Sequence, residues 1–239
     1  MPIPYTSHLR SDGELLAQAA ARDLDAHVPT CPDWNVAKLV IHTGGHHRWV
    51  ADAVRGGGKP PPEPKKPGLR GDELLEWFRA GWRELADLLD ASDDATTAWS
   101  WSGDNRVGFW RRRTACETLV HRWDAENAFG EPSPLDAELA RDGVDEMFTV
   151  FAREPEGAYE GPDARVGLKT DGATWILGLE HGKTPAFAPA TGDAEATDVR
   201  IEARAEDLLL FLWGRLGRDV LTVSGDGDLA ASILDWLED

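Results

Sequence analysis

Apolar residues recur at helical spacing through the first two thirds of the chain. Leu15, Leu16, Ala19 and Ala20, reaching Leu24, form a 3.6-period stripe. It predicts a first helix capped by Ser11 or Asp12, with Glu14 near its positive end. Pro29 and Pro32 then interrupt the chain between Val28 and Trp34. A second helix starts at Asp33 or Asn35 and continues through Val36, Leu39, Val40 and Thr43. It carries His42 and, one turn later, His46. Residues 56–71 open on three glycines and continue with prolines among lysines, which predicts a surface loop. Asp72 caps a third helix with a stripe of Leu74, Leu75, Trp77, Phe78, Trp82, Leu85, Leu88 and Leu89, broken at Ser92, Asp93 and Asp94. Residues 99–107 are irregular, with a turn signal at Gly103, Asp104 and Asn105. A fourth helix spans about 109–127 and a fifth 136–152.

The period then changes. A Gly/Pro/Glu linker over 155–163 leads to two alternating runs, 165–170 and 173–179, around Asp171-Gly172, a strong hairpin signal. Residues 198–204 read as a strand, and a helix opens at Glu206 and Asp207. A short strand over 220–224 precedes a terminal helix started by Gly225 to Asp228 and ending with Trp236 and Leu237. The pattern predicts an α+β protein: a helical bundle over 1–153 and a smaller α+β domain over 163–239.

Composition narrows the partners. The chain has 239 residues, and Asp plus Glu outnumber Lys plus Arg 43 to 25, for a formal net charge of -18. Phosphate backbones require clustered cations, so no nucleic-acid partner is expected. No apolar run approaches a membrane span, and the N-terminus lacks a signal-peptide pattern. These features, with Cys31 and Cys116 as the only cysteines, lead to the expectation of a cytoplasmic protein with reduced thiols and no membrane partner.

The candidate chemistry lies in the fourth helix. Glu117, His121 and Asp124 stand at i, i+4 and i+7, on one face of a helix. A carboxylate and an imidazole one turn apart can grip a divalent metal, and a further carboxylate can orient the imidazole through its other nitrogen. Alone, the pair also reads as a solvated i,i+4 contact. His42, on a separate helix, brings the set to His, Glu, His, which with an open position is the usual catalytic zinc arrangement and also suits nickel or iron. His46 is a candidate fourth ligand, general base or pocket wall. Asp124 has a competing reading as a salt bridge to Arg122 or Arg113. Both cysteines read as small buried hydrophobes.

The segment from Cys31-Pro32-Asp33-Trp34-Asn35-Val36 through Leu39-Val40-Ile41-His42-Thr43-Gly44-Gly45-His46-His47-Arg48-Trp49 resembles the N-terminal signature of the mycothiol-dependent maleylpyruvate isomerase family, whose members are DinB-like metal-binding four-helix bundles. Glu117, His121 and Asp124 match its second signature. Asp207 to Arg215, followed by Val223-Ser224-Gly225-Asp226, is similar to its C-terminal domain. The resemblance implies a DinB-like bundle, His42, Glu117 and His121 as metal ligands, and Arg215 near the active site as a partner for a substrate carboxylate. It also implies mycothiol as thiol cosubstrate and an isomerase or S-transferase acting on a small electrophilic acid. Two other readings stand beside it. One is a non-catalytic bundle that binds a metal or small ligand as a sensor or carrier. The other is a structural bundle without metal, in which His42 and His121 lie far apart.

Overall fold

The computed structural model describes residues 2–151, 159–190 and 197–238. The chain forms two compact units, Met1–Leu135 and Asp136–Asp239.

The first unit is a bundle of four helices: α1 (Tyr5–Ala20), α2 (Val36–Gly56), α3 (Gly71–Asp90) and α4 (Val107–Asn127). α1 packs on α3 and α4, and α2 packs on the same two helices from the other side. Leu16, Leu39, Phe78, Leu85, Trp110 and Leu119 fill the interior. Asn35 caps α2 by accepting from the Lys38 amide at 3.0 Å. The caps expected for α1 and α3 are different. α1 begins after Pro4, so Ser11 and Asp12 lie within it, and Asp12 is buried against Arg122 of α4 at 3.2 Å. α3 starts at Gly71 without a side-chain cap, and Asp72 sits in its first turn, where its charge favours the helix dipole. The 97–106 segment closes as a single antiparallel bridge between Thr97 and Arg106, with Gly103 at φ 85° in the turn.

In the second unit, α5 (Ala137–Glu146) is capped by Asp136, which accepts from the amides of Glu138 and Leu139, and runs on as a π-helical turn, Met147–Phe151. Among the described residues five strands follow: β1 (Ala164–Thr170), β2 (Ala173–Leu179), β3 (Ala186–Ala190), β4 (Val199–Glu202) and β5 (Thr222–Gly225). Their order is β3-β2-β1-β4-β5, antiparallel except for β1 beside β4. The hairpin predicted at Asp171-Gly172 joins β1 and β2, with Gly172 at φ 89°. α6 (Ala205–Leu212) and α7 (Gly227–Glu238) complete the unit, and Asp226 accepts from the first amides of α7.

The division between units falls at 135, earlier than the 153 expected from the pattern. The reason is packing: α5 lies against α6, where Leu209 meets Gly143. The expected linker is described only from residue 159, and its segment 155–158 lies outside the described residues. β3 escaped the pattern because Ala186–Ala190 has no β-branched residues and contains Pro189. It is tolerated as an edge strand. Among the described residues, no helix is long and apolar enough to cross a membrane.

Candidate metal centre

α2 and α4 place three side chains of the first unit at one point. His42 Nε2 lies 3.2 Å from Glu117 Oε1, and His121 Nε2 lies 3.1 Å from the same oxygen. The three potential ligand atoms lie within 4.8 Å of one another. The two imidazole rings are 5.0 Å apart and nearly perpendicular, so the reading in which His42 and His121 are distant is excluded. Exposure is graded across the cluster: the His42 side chain is 44% exposed, Glu117 12% and His121 4%. The cluster is therefore open from the His42 side and closed behind His121.

The closed side is where orientation is set. His121 Nδ1 donates to Asp124 Oδ2 at 2.9 Å, leaving Nε2 directed at Glu117. Asp124 is fully buried, and its other oxygen accepts from Thr30 Oγ1 at 2.6 Å. Arg122 pairs with Glu126 and Asp12. Thr30 belongs to the proline-bearing turn. That turn is pinned by the His27–Asn35 bridge and the bonds Val28 N to Trp34 O and Val36 N to Ala26 O. The same turn sets Trp34 4.9 Å from the His42 ring and 6.3 Å from His121.

Glu117 divides its oxygens. Oε2 accepts from Arg113 Nη2 at 2.6 Å, one helical turn back, and Arg113 is 1% exposed. Burial disfavours the charged carboxylate, but His121, His42 and Arg113 together hold it well below the usual range. Burial would likewise keep His121 neutral, yet Glu117 and Asp124 outweigh it and raise its pKa to about 9. In the metal-free protein a proton on His121 Nε2 balances the Glu117 carboxylate. A divalent cation is the natural replacement, since two imidazole nitrogens and one carboxylate oxygen converge from different helices. The donor set fits a metal.

His46 is not part of this cluster. It faces His47, Trp49 and Trp110, at ring distances of 6.2, 6.5 and 6.4 Å. Burial, only partly opposed by Glu117, lowers its pKa to about 4, so it is neutral near pH 7, and its buried Nε2 has no hydrogen-bond partner among the described residues. His47 lies deeper. Thr118 Oγ1 donates to Thr114 O at 2.7 Å and so accepts from His47 Nε2 at 3.0 Å, which fixes the proton on Nε2. Arg215 lies in the second unit after α6, where its guanidinium donates to Trp213 O at 2.6 Å.

Thr30 and Trp34 were not assigned roles from the sequence, and Arg113 was named only as an alternative salt-bridge partner of Asp124. Arg113 had a visible signal, an i, i+4 spacing to Glu117 on the same face. Thr30 had none, because only the folded turn brings it to α4.

The fold and the cluster together define a helical-bundle protein with a two-histidine, one-carboxylate centre and an appended α+β unit. Residues 9–126 match the family model for the mycothiol maleylpyruvate isomerase N-terminal domain, and residues 138–232 match the MDMPI C-terminal domain. The chain belongs to the mycothiol-dependent maleylpyruvate isomerase family. Among solved structures, it is similar to a mycothiol-dependent maleylpyruvate isomerase and to a histidine-to-alanine mutant of such an isomerase. Each match has 14% identity, 93% coverage of both chains and a TM-score of 0.61, a likeness of fold. No curated protein matches the chain significantly.

Proposed function

We propose that this chain is a metal-dependent enzyme that uses mycothiol to isomerise, or to conjugate by S-transfer, a small electrophilic acid of the maleylpyruvate kind. The observation that carries the proposal is the convergence of His42 Nε2, Glu117 Oε1 and His121 Nε2, with Asp124 behind His121, in a chain of this family.

A divalent metal held by those three groups, zinc foremost and nickel or iron as alternatives, would favour the thiolate form of a bound thiol near neutral pH. His121 keeps its Nε2 directed inward because Asp124 holds its Nδ1. His42, on the open side, leaves an approach for the thiol. Trp34 stands beside both histidines. His46 is neutral and its Nε2 is buried, so it serves with Trp49 and Trp110 as a wall rather than as a base. Isomerisation then needs no redox partner. The thiolate sulfur forms a bond to one alkene carbon, the resulting single bond rotates, and the carbon–sulfur bond breaks to give the trans isomer and the thiolate. In S-transfer the carbon–sulfur bond is kept and the adjacent carbon takes up a proton. Arg215 is our candidate for holding a substrate carboxylate by a bidentate contact, on the family resemblance.

The test is metal analysis with thiol-dependent turnover. Purified protein reconstituted with zinc should bind one equivalent and convert maleylpyruvate only with mycothiol present. His42→Ala and His121→Ala should lose both properties. Metal binding without turnover of maleylpyruvate or generic electrophiles would favour the sensor or carrier, and failure to bind metal would overturn the reading altogether.

A further inference from the structure

Glu117 uses its two oxygens differently. Oε1 faces both histidine Nε2 atoms, while Oε2 is bonded to Arg113 at 2.6 Å. Arg113 is almost wholly buried on α4 one turn before Glu117. Burying a guanidinium is costly unless it is paired and well bonded, and its permanent charge and fixed planar donors suit it to holding a carboxylate oxygen in one direction.

A metal-binding carboxylate can ligate through one oxygen or chelate through both. Here the second oxygen is engaged by a cation one helical turn before Glu117, while both histidine nitrogens face the first. We propose that Arg113 is a positioning residue that restricts Glu117 to one-oxygen ligation through Oε1, and so keeps a coordination position free for the thiol. The proposal rests on reading His42, Glu117 and His121 as the ligands.

Two effects follow. The geometric one is that Oε2 cannot swing in to fill the position the thiol needs. The electrostatic one is that Arg113 offsets the charge of Glu117, so less of the metal's charge is cancelled by its own ligand and more acts on the thiol. Asp124 does the opposite to His121: it strengthens that imidazole as a donor. The two residues that back α4's ligands thus pull in different directions, one securing the metal and the other keeping it electrophilic.

Cobalt is the probe, because its visible absorption weakens as coordination rises above four. The wild-type protein loaded with cobalt should show an intense visible band, and X-ray absorption of the zinc form should show a one-oxygen carboxylate. In Arg113→Gln the band should weaken. The pH midpoint for forming the sulfur-to-cobalt absorption with 2-mercaptoethanol should rise by about one unit or more. Arg113→Lys, which restores the charge, should return the midpoint most of the way. A folded, cobalt-loaded Arg113→Gln with wild-type spectrum and midpoint would overturn the proposal, as would a wild-type spectrum showing both Glu117 oxygens on the metal. If Arg113→Gln does not fold, the wild-type X-ray measurement and the lysine variant decide. Absence of cobalt binding in the wild type would instead overturn the ligand assignment itself.

Discussion

His121 and Asp124, three residues apart on α4, are joined through Nδ1 and Oδ2 at 2.9 Å, and Thr30 fixes the other oxygen of Asp124 from a different part of the bundle. The ring is thereby held in one orientation before any ligand arrives, with Nε2 as the nitrogen that gives up its proton when a metal binds. Asp124→Asn keeps the shape but removes the charge and lets an amide N–H face Nδ1. Zinc affinity should fall about 10- to 100-fold, as for other partners that back metal-binding histidines. A chelator competition titration measures it, with circular dichroism confirming an intact bundle.

Glu117 is tied to Arg113 as well as to the histidines, so its loss should be felt in the metal-free protein too. Removing one partner of a buried ion pair costs about 3–5 kcal/mol. Glu117→Ala should therefore lose metal binding and also unfold at lower urea than the apo wild type. Equal urea midpoints for the two apo proteins would show that Arg113 and Glu117 do not stabilise one another.

The parts of this molecule that were legible in the sequence are those set by local geometry. Spacing on one helix put Glu117, His121 and Asp124 on a common face, and local chemistry narrowed the second helix's cap to Asp33 or Asn35 and marked the Asp171-Gly172 hairpin. The convergence of His42 with α4 followed once two helices were assumed to be neighbours. What was illegible depends on distant partners. Asp12 has the chemistry of a helix cap, and only Arg122 on α4 makes it an interior residue. Arg113 has the spacing of a surface ion pair, and only the depth of α4 in the bundle makes it a buried one. α5 reads as a continuation of the bundle because its apolar stripe does not say which neighbour it will meet.

Gly44 illustrates that dependence where α2 approaches α3. A Cβ built there would lie 2.4 Å from Trp77 Cζ3 and 2.9 Å from its Cη2. Trp77 is further held by Arg48, whose guanidinium stacks 3.9 Å from the ring centre. Alanine gains about 1 kcal/mol in helix propensity over glycine, while overpacking a fitted contact costs about 1–3 kcal/mol. The clash involves a wedged indole rather than a flexible chain end, so overpacking should win. Gly44→Ala is expected to lower the melting temperature, and a rise would show that Trp77 can move aside.

Asp12 gives the chain a pH-dependent stability separate from the metal centre. Burial raises its pKa from 3.8 to about 6, against the opposing pull of Arg122, and its Oδ2 has no hydrogen-bond partner among the described residues. The sign follows from which state holds the proton. Between about pH 4 and pH 6 the folded protein keeps the Asp12 proton while the unfolded chain gives it up, so rising pH favours unfolding. The contribution is most favourable below the unfolded pKa and is lost once pH exceeds the folded one, a change of about 3 kcal/mol. Asp12→Asn carries no such titration and retains much of the shape beside Arg122. The stability of the asparagine variant relative to wild type, from urea unfolding of the metal-free proteins, should therefore increase by most of that amount, about 2 kcal/mol, from pH 4 to pH 7. A difference that stays constant across this range would mean that Arg122 holds Asp12 ionised throughout, and that the buried ion pair outweighs the desolvation of its carboxylate.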